Sequence, residues 1–376
     1  MHQRPQTAQP LPQAMTIALP TPAGGSVQGA AADAGAVAMD PSGHPQWDSL
    51  LGPHPQSTIF HGSAWARVLQ DTYGHRPLYI VRFEGSQLAG LLPVMETSSW
   101  LTGRRGVSLP FTDSCSALQT GGQGRELYQQ AVDCGRQRRW KYLECRGNVS
   151  SWEGATPSVS FYGHAIDLAI GEEGLFNELD GALRRGVRKA RQAGVRIGFD
   201  SGMESVRTFF ALHCRTRRRH GLPPQPFGFF RNIQRHILAP GQGFIATARL
   251  GNQPLAAAVF FCHGRQALYK FGASDHAFQQ LRPNNLLMWE AMRHCAQRGL
   301  ARLDLGRTSL SNQGLQRFKL GLGAVEEEIR YARYDFSTSQ FVQTPDRVQG
   351  WFNRFFAAMP LPLLRLCGAI LYPHLS

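Results

Sequence analysis

The sequence predicts an α/β (α+β) protein with two tandem domains, each a mixed central sheet flanked by helices. Three observations carry this reading. The chain has 376 residues, more than the roughly 100–200 of a usual single domain. Strand-like apolar runs alternate with amphipathic helical stretches in both halves. A hydrophobic content of 42% with 10% aromatics can fill two cores, and no uncharged apolar run of about 18 residues, the length that spans a bilayer, interrupts the pattern.

Residues 1–44 are rich in Pro, Ala, Gln and Gly and nearly free of charged and aromatic residues. Such a composition cannot bury enough surface to offset the entropy of ordering, so a disordered tail is expected. It lacks the basic start, apolar core and cleavage site of a secretory signal, and Met15 and Met39 are alternative starts.

The first domain is expected over 45–163. Ser63–Gly74 reads as a helix, and LYIVRF, LAGLLPVM and GVSLPF read as strands. Arg125–Arg139 places Leu127, Ala131 and Cys134 at helical spacing, and WKYLECRG follows as a strand.

The second domain is expected over 164–336. HAIDLA is strand-like, and Phe176, Leu179, Leu183, Val187 and Ala190 then recur every three or four residues as one helix stopped at Gly194. After it come a strand (VRIGF), a helix (Met203–Arg219), a loop (GLPPQP), a helix (Gly228–Leu238) and three strands (FIATARL, LAAAVFF, ALYKFGA). A helix (Asn285–Arg298), a strand (ARLDLG), a short helix (Gln313–Lys319) and a strand (EEIRYARY) complete the order β-α-α-β-β-β-α-β-α-β. Residues 337–376 are a basic, aromatic-rich tail in which WFNRFFAAM forms a turn or two of helix before Pro360 and Pro362 interrupt it. Docking on the protein is the preferred reading of this tail, and peripheral contact with a membrane is the alternative.

The formal charge of +14 favours an anionic partner such as tRNA, a nucleotide- or diphosphate-linked substrate, coenzyme A or an anionic membrane face. Of the 40 basic residues only Lys141, Lys189, Lys270 and Lys319 are lysines, a skew that GC-rich codon usage also produces. The seven cysteines are scattered and form no Cys-x-x-Cys pair, so no zinc site or disulfide framework is expected and reduced thiols point to the cytoplasm.

The stretches LRRGVRKARQAGV, HCRTRRRHGLPPQPFGFF, LYKFGASD, LRPNNLLMWEAM, LDLGRTS and GLQRFKLGLGA occur in that order, preceded by FHGSAWARVL and SLPFTDSCSAL. Over about 47–335 the chain thereby resembles the Fem-type (FemAB-like) aminoacyltransferases and their GNAT relatives, including BioF2-like acetyltransferase domains. The resemblance implies two tandem GNAT-like domains. It also implies direct acyl transfer from a thioester or an aminoacyl-tRNA ester to an amine, with no covalent enzyme intermediate and no tightly bound cofactor or metal.

That chemistry needs a neutral amine, donors for the oxyanion and a proton for the leaving atom. Asp304, at the C-terminal end of a predicted strand where open α/β sheets place ligands, can take the amine's proton, or can simply bond nearby loop amides. Lys319 and Arg307 can hold negative charge near the reacting carbonyl. Tyr269 can protonate the leaving group, and Lys270 beside it can contact the donor, although strand alternation puts the two on opposite faces and at most one in the cleft. Asn284 and Asn285 begin a helix whose free N–H groups can bind an anion or be capped in the ordinary way, while Glu290 reads as a surface partner of Arg293. Arg184, Arg188 and Arg191 share one helical face, and Arg217 and Arg218 belong to a second basic cluster; both can bind a polyanion or be merely solvated.

QLRPNNLL stands where acetyl-CoA-dependent GNAT enzymes carry a glycine-containing pyrophosphate turn, which disfavours a coenzyme A donor. The leading expectation is an amide-forming transferase that moves an aminoacyl or acyl group to an amine on a cell-envelope glycan or lipid-linked, peptidoglycan-type precursor. The alternatives are an acetyl- or acyl-CoA-dependent N-acetyltransferase of polysaccharide biosynthesis and a non-catalytic scaffold or RNA-binding protein.

Overall fold

The computed structural model describes residues 35–52, 54–119, 124–344 and 352–375. The first half holds β1 (Val37–Met39), α1 (Trp47–Leu51), α2 (Ser63–Tyr73), β2 (Arg76–Pro77), β3 (Tyr79–Glu84), β4 (Gln87–Leu92), β5 (Met95–Ser99), β6 (Gly103–Val107), β7 (Leu118–Gln119), α3 (Gly124–Arg138) and β8 (Tyr142–Arg146). The second holds β9 (Val159–Asp167), α4 (Gly171–Glu178), α5 (Gly181–Gln192), β10 (Arg196–Asp200), α6 (Met203–Arg219), α7 (Phe227–Ile233), β11 (Gly243–Leu250), β12 (Gln253–His263), β13 (Gln266–Ser274), α8 (Pro283–Gln297), β14 (Arg302–Ser309), α9 (Gln313–Gly321), β15 (Val325–Asp335) and β16 (Gln340–Phe341). Two helices, α10 (Phe352–Ala358) and α11 (Leu361–Leu371), follow.

The chain is a mixed α/β protein. Its main sheet runs β10-β11-β12-β13-β14-β9-β15-β8-β6-β5-β2, with β16 beside β15, and β1-β3-β4-β7 form a second sheet. Neighbours are antiparallel except β13–β14 and β6–β8, which are parallel. The expected boundary at 163/164 falls inside β9, so no linker lies there: β9 pairs with β14 on one edge and β15 on the other, and β15 then pairs with β8. The last long strand of the second half thus inserts between the two halves and makes their sheet continuous.

Packing follows the same division and the same join. One apolar cluster gathers first-half residues around Leu127, Leu143 and Trp152 together with Ala332 of β15, and another lies within the second half around Leu183, Ala291 and Leu303. A third is built by both halves: Trp65 of α2 meets Phe229 of α7 edge-on and Phe261 of β12 at a tilt, each with centroids 5.8 Å apart. Edge-to-face aromatic pairs of this kind add stability beyond their buried area.

Three local expectations are corrected. The single helix expected from Phe176 to Ala190 is two, because Leu179 turns extended at ψ 137° and frees Asp180 to cap α5 through the Leu183 N–H. The tail expected to be disordered to residue 44 is ordered at its end, where Val37, Ala38 and Met39 pair with Val81, Ile80 and Tyr79; residues 1–34 lie outside the described residues. The short helix α10 does end at Ala358, before the prolines, but these then start a further helix that the tail was not expected to hold, with Pro360 at the N-cap of α11 and Pro362 in its first turn. Leu364 and Gly368 of α11 are buried, and a Cβ at Gly368 would overlap the Pro224 carbonyl oxygen, so the helix docks tightly on the loop after α6.

Candidate active site

Parallel pairing between β13 and β14 covers only Gln266–Leu268 against Arg302–Asp304, although both strands run on to Ser274 and Ser309. Beyond Leu268 and Asp304 they part. Each carries a bulge at the fork. Lys270 is the extra residue of β13 against β12, since Tyr269 faces Phe260 and Phe271 faces Val259. On β14 the register against β9 shifts between Asp304 and Arg307, where Gly306 takes φ 69°. Bulges of this kind re-aim side chains and end pairing beside active sites.

A cavity of about 890 Å³ occupies the opening, and six cationic side chains (Arg146, Arg217, Arg219, Lys270, Arg282, Arg307) line it against two carboxylates (Asp113, Asp275). A second cavity, about 570 Å³, has the opposite character, with Asp113, Asp304 and Glu327 against Arg302 and a wall of neutral polar groups that includes Gln56, Thr58, Ser114, Ser116, Gln119 and Asn148. Asp113 lines both.

Asp113 is the residue that sequence reasoning missed. It lies in SLPFTDSCSAL, a stretch already singled out but without an assigned role. The loop around it is clamped: Tyr331 Oη donates to the Asp113 carbonyl at 2.8 Å, and the buried Arg146 guanidinium donates to the carbonyls of Leu109 and Thr112 at 3.3 and 3.4 Å. Leu109 and Phe111 are held at φ 60° and 61°, a conformation bulky residues rarely adopt and one that functional loops tolerate. Arg146 is itself fixed by Glu144, which also accepts from Arg333.

The Lys270 ammonium meets Asp113 Oδ2 at 3.1 Å and lies over the rings of Phe60, Trp65 and Phe271. Burial alone would raise the Asp113 pKa, but Lys270 and then Arg307, whose Nε is 3.8 Å away, outweigh it and hold the carboxyl below its ordinary value. Burial lowers the Lys270 pKa, and Asp113 opposes that shift. Arg307 also stacks over Phe161, 4.2 Å from the ring centroid.

Tyr269 and Lys270 both line the larger cavity. Their side chains have different neighbours: Lys270 turns to Asp113, and the Tyr269 ring packs against Phe260. The Tyr269 hydroxyl crosses Gly272, where a Cβ would overlap it, and burial pushes its pKa up to about 12. It is a protonated donor at any physiological pH.

Asp304 faces the smaller cavity. Its Oδ1 accepts the Gly306 N–H at 2.6 Å, and burial pushes its pKa up to about 6, against the opposing pull of that N–H. The structure thus shows the loop bond of Asp304, with the half-buried carboxyl bordering the cavity. Lys319 is corrected more firmly. It is 3% exposed, lines neither cavity, and donates to the Gly306 and Arg307 carbonyls at 2.8 and 3.2 Å. Because α9 packs beneath the β14 bulge, this ammonium braces the backbone; burial lowers its pKa to about 8.

Asn284 and Asn285 line the larger cavity but do not cap α8: its N-cap is Arg282, at φ 55°, and Pro283 supplies no N–H to the first turn. The Asn285 amide also lies against Gly186 of α5, so α5 flanks the rim. Arg184, Arg188 and Arg191 line neither cavity, and Arg191 is tied to Glu290 at 2.7 Å. Glu290 pairs with Arg293 as well, at 2.7 Å. Arg217 lines the larger cavity and donates to Tyr372 Oη at 2.9 Å, whereas Arg218 lies in a separate groove with Arg215 and Arg219. Among the described residues no group of three or more His, Cys, Asp or Glu is placed to hold a metal ion.

Residues 180–320 match the family described as Acetyltransferase (GNAT) domain. No curated protein matches the chain by sequence. Among solved structures, FemX is similar at 14% identity and a TM-score of 0.63, covering 77% of this chain and 95% of its own. L-PGS from Bacillus licheniformis is similar at 12% identity and a TM-score of 0.52, covering 88% and 97%. A tandem GNAT protein from the clavulanic acid biosynthesis pathway is similar at 12% identity and a TM-score of 0.52, covering 80% and 98%. At these identities the likeness speaks for the fold.

Proposed function

We propose, from the premise that the chain is an acyltransferase with a GNAT domain over residues 180–320, that it transfers an aminoacyl or acyl group from a polyanionic donor to an amine. The donor occupies the larger cavity. The amine belongs to a cell-envelope glycan or lipid-linked precursor and arrives through the smaller one. The observation that carries this reading is the meeting of two cavities of opposite charge at Asp113, where β13 and β14 part.

Six cations suit a phosphate-bearing donor. Carboxylates beside neutral hydroxyl and amide groups suit an ammonium on a hydroxyl-rich acceptor. Asp304 takes the ammonium proton, and the free amine attacks the donor carbonyl. A C–N bond forms, the C–O bond of an ester or the C–S bond of a thioester breaks, Tyr269 protonates the leaving atom, and the second proton of the attacking nitrogen, made acidic by bond formation, returns to the Tyr269 oxygen. Lys270, Arg307 and the open backbone edge of β13 supply positive potential to the transient oxyanion.

An aminoacyl-tRNA donor is the favoured source. Pro283 and the glycine-free turn before it offer few backbone donors for a pyrophosphate, and α5 extends the basic surface beyond the rim. Incubation with charged tRNA and amine-bearing glycan acceptors, with and without ribonuclease, tests this, beside a parallel reaction with radiolabelled acetyl-CoA. Ribonuclease-sensitive transfer supports the reading. Transfer from acetyl-CoA alone replaces the donor by a coenzyme A thioester, and no transfer to any amine overturns the proposal.

A further inference from the structure

We propose that Tyr372, on the turn that follows α11, is a positioning residue of the larger cavity: its hydroxyl holds the Arg217 guanidinium as the anchor for a donor phosphate, so that the C-terminal segment completes the site. The inference rests on the donor reading given above and adds to it where the anion sits.

The six cations of the cavity are not equivalent. Arg146 is paired with Glu144, and Lys270 and Arg307 share Asp113. Asp275, the other carboxylate of the wall, is taken by Arg215 at 2.7 Å. This leaves Arg217, Arg219 and Arg282 without a carboxylate partner among the described residues. Arg219 and Arg282 are exposed, so water screens them, whereas Arg217 is half-buried. Its partners are neutral: Nε donates to the Pro223 carbonyl at 3.2 Å and Nη2 to Tyr372 Oη at 2.9 Å, while Nη1 makes no hydrogen bond to a described residue. A guanidinium that is partly desolvated, fixed along one edge by neutral acceptors and not neutralised keeps both its charge and a free edge for an anion, the way arginine grips phosphate.

Packing on three sides places the Tyr372 hydroxyl. Its ring is 6% exposed and lies 5.7 Å from that of Phe111, in the strained loop that carries Asp113. Before it, α11 sits against Pro223 and Pro224 through Gly368. After it, Ser99 Oγ lies 3.0 Å from His374 Nδ1, and Arg105 donates to the His374 carbonyl at 2.7 Å. The segment that supplies Oη therefore also packs on the loop that supplies the Pro223 carbonyl, and both acceptors of Arg217 are fixed together.

The phosphate belongs to a tRNA ester or to a coenzyme A thioester, and two probes separate these sources: a stem-loop RNA ending in CCA, and coenzyme A itself, each titrated calorimetrically into the full chain. At least one should bind the wild type, more weakly at high salt. Arg217→Gln should weaken that binding about tenfold or more. Tyr372→Phe, which keeps the ring against Phe111, should weaken it about threefold or more with the melting temperature nearly unchanged. In the double variant the tyrosine change should add nothing, because the hydroxyl acts only through Arg217. With the donor that supports transfer, Tyr372→Phe should raise the donor KM by about the same factor and move kcat less than about twofold, whereas a merely structural role would move both. Either single variant binding as the wild type does, or a tyrosine effect that persists in the Arg217→Gln background, would overturn the inference and leave the donor reading standing. A wild type that binds neither probe would remove the donor reading and the inference with it.

Discussion

The Lys270 ammonium lies 3.1 Å from Asp113 Oδ2, joining a bulge of β13 in the second half of the chain to a strained loop of the first. The lysine side chain is 4% exposed, so its charge depends on this partner. Asp113→Asn should leave a buried cation unpaired and destabilise the fold by about 2–4 kcal/mol, with Lys270→Met restoring part of the loss in the double variant. Denaturant melts of the two single variants and the double one measure the coupling. Additive losses would mean that the two groups do not act as a pair.

β1 turns the tail question into a comparison of two truncations. A chain beginning at Pro45 loses the pairing of Val37–Met39 with β3 and the Ser42 hydroxyl bond to Gln70. It should melt about 1–2 °C below a chain beginning at Gly35, the shift that about 1 kcal/mol gives in a protein of this size. Equal melting temperatures would make β1 an ornament of the sheet.

Much of the fold was legible because it is written in local periodicity. Met203–Arg219 shows Val206, Phe209, Phe210 and Leu212 at helical spacing and ends before Gly221, and it is α6 to the residue. Pairing partners are not local. Nothing in LYKFGASD or LDLGRTS records that β13 and β14 separate after three residue pairs, or that the fork draws in Asp113 from 157 positions away. Lys319 misled for a similar reason: α9 is only nine residues long, and which of its faces is buried depends on β14 above it.

Lys319→Met follows from that burial. Removing the ammonium leaves the Gly306 and Arg307 carbonyls without their donor, and about 1–3 kcal/mol of stability should go with it. KM should change less than about twofold, since Lys319 lines neither cavity. The pH dependence has a definite sign. Folded Lys319 titrates near 8 and the unfolded chain near 10.5, so between those values the unfolded state holds more protons and rising pH stabilises the wild type relative to the variant. Chemical denaturation at pH 7 and pH 10 should therefore show a wider gap at pH 10; a gap that narrows would place the ammonium in a favourable ion pair instead.

Gly272→Ala tests Tyr269 without touching it. The added Cβ overlaps the Tyr269 hydroxyl, the mobile end of its side chain, so the ring must swing away at little cost to the sheet. If Tyr269 protonates the leaving atom, Gly272→Ala and Tyr269→Phe should each lower kcat by about 10- to 100-fold with the melting temperature nearly unchanged. A leaving group that needs no proton should rescue both variants. Normal turnover in Tyr269→Phe would remove the tyrosine from the chemistry.

Asp304 carries the sharpest expectation, because its two possible duties predict different pH behaviour. Burial raises its pKa to about 6, so the carboxylate is present above that value and lost below it. As the base, it should make kcat fall about tenfold per pH unit on the acid side of 6. Asp304→Asn keeps an oxygen for the Gly306 N–H but cannot take a proton, so kcat should drop by roughly 10²-fold or more and the acid limb should vanish. Stability moves the other way. A carboxyl whose folded pKa is raised costs the fold stability at neutral pH, and the cost disappears as pH falls from 6 towards 4, so the Asn variant should be as stable as the wild type or more so at pH 7, with the difference shrinking on acidification. Steady-state kinetics from pH 5 to 9 beside thermal melting reads both quantities on the same samples. An Asn variant with normal kcat would exclude Asp304 as the base, and one that loses activity together with its fold would assign the carboxylate to holding the Gly306 turn.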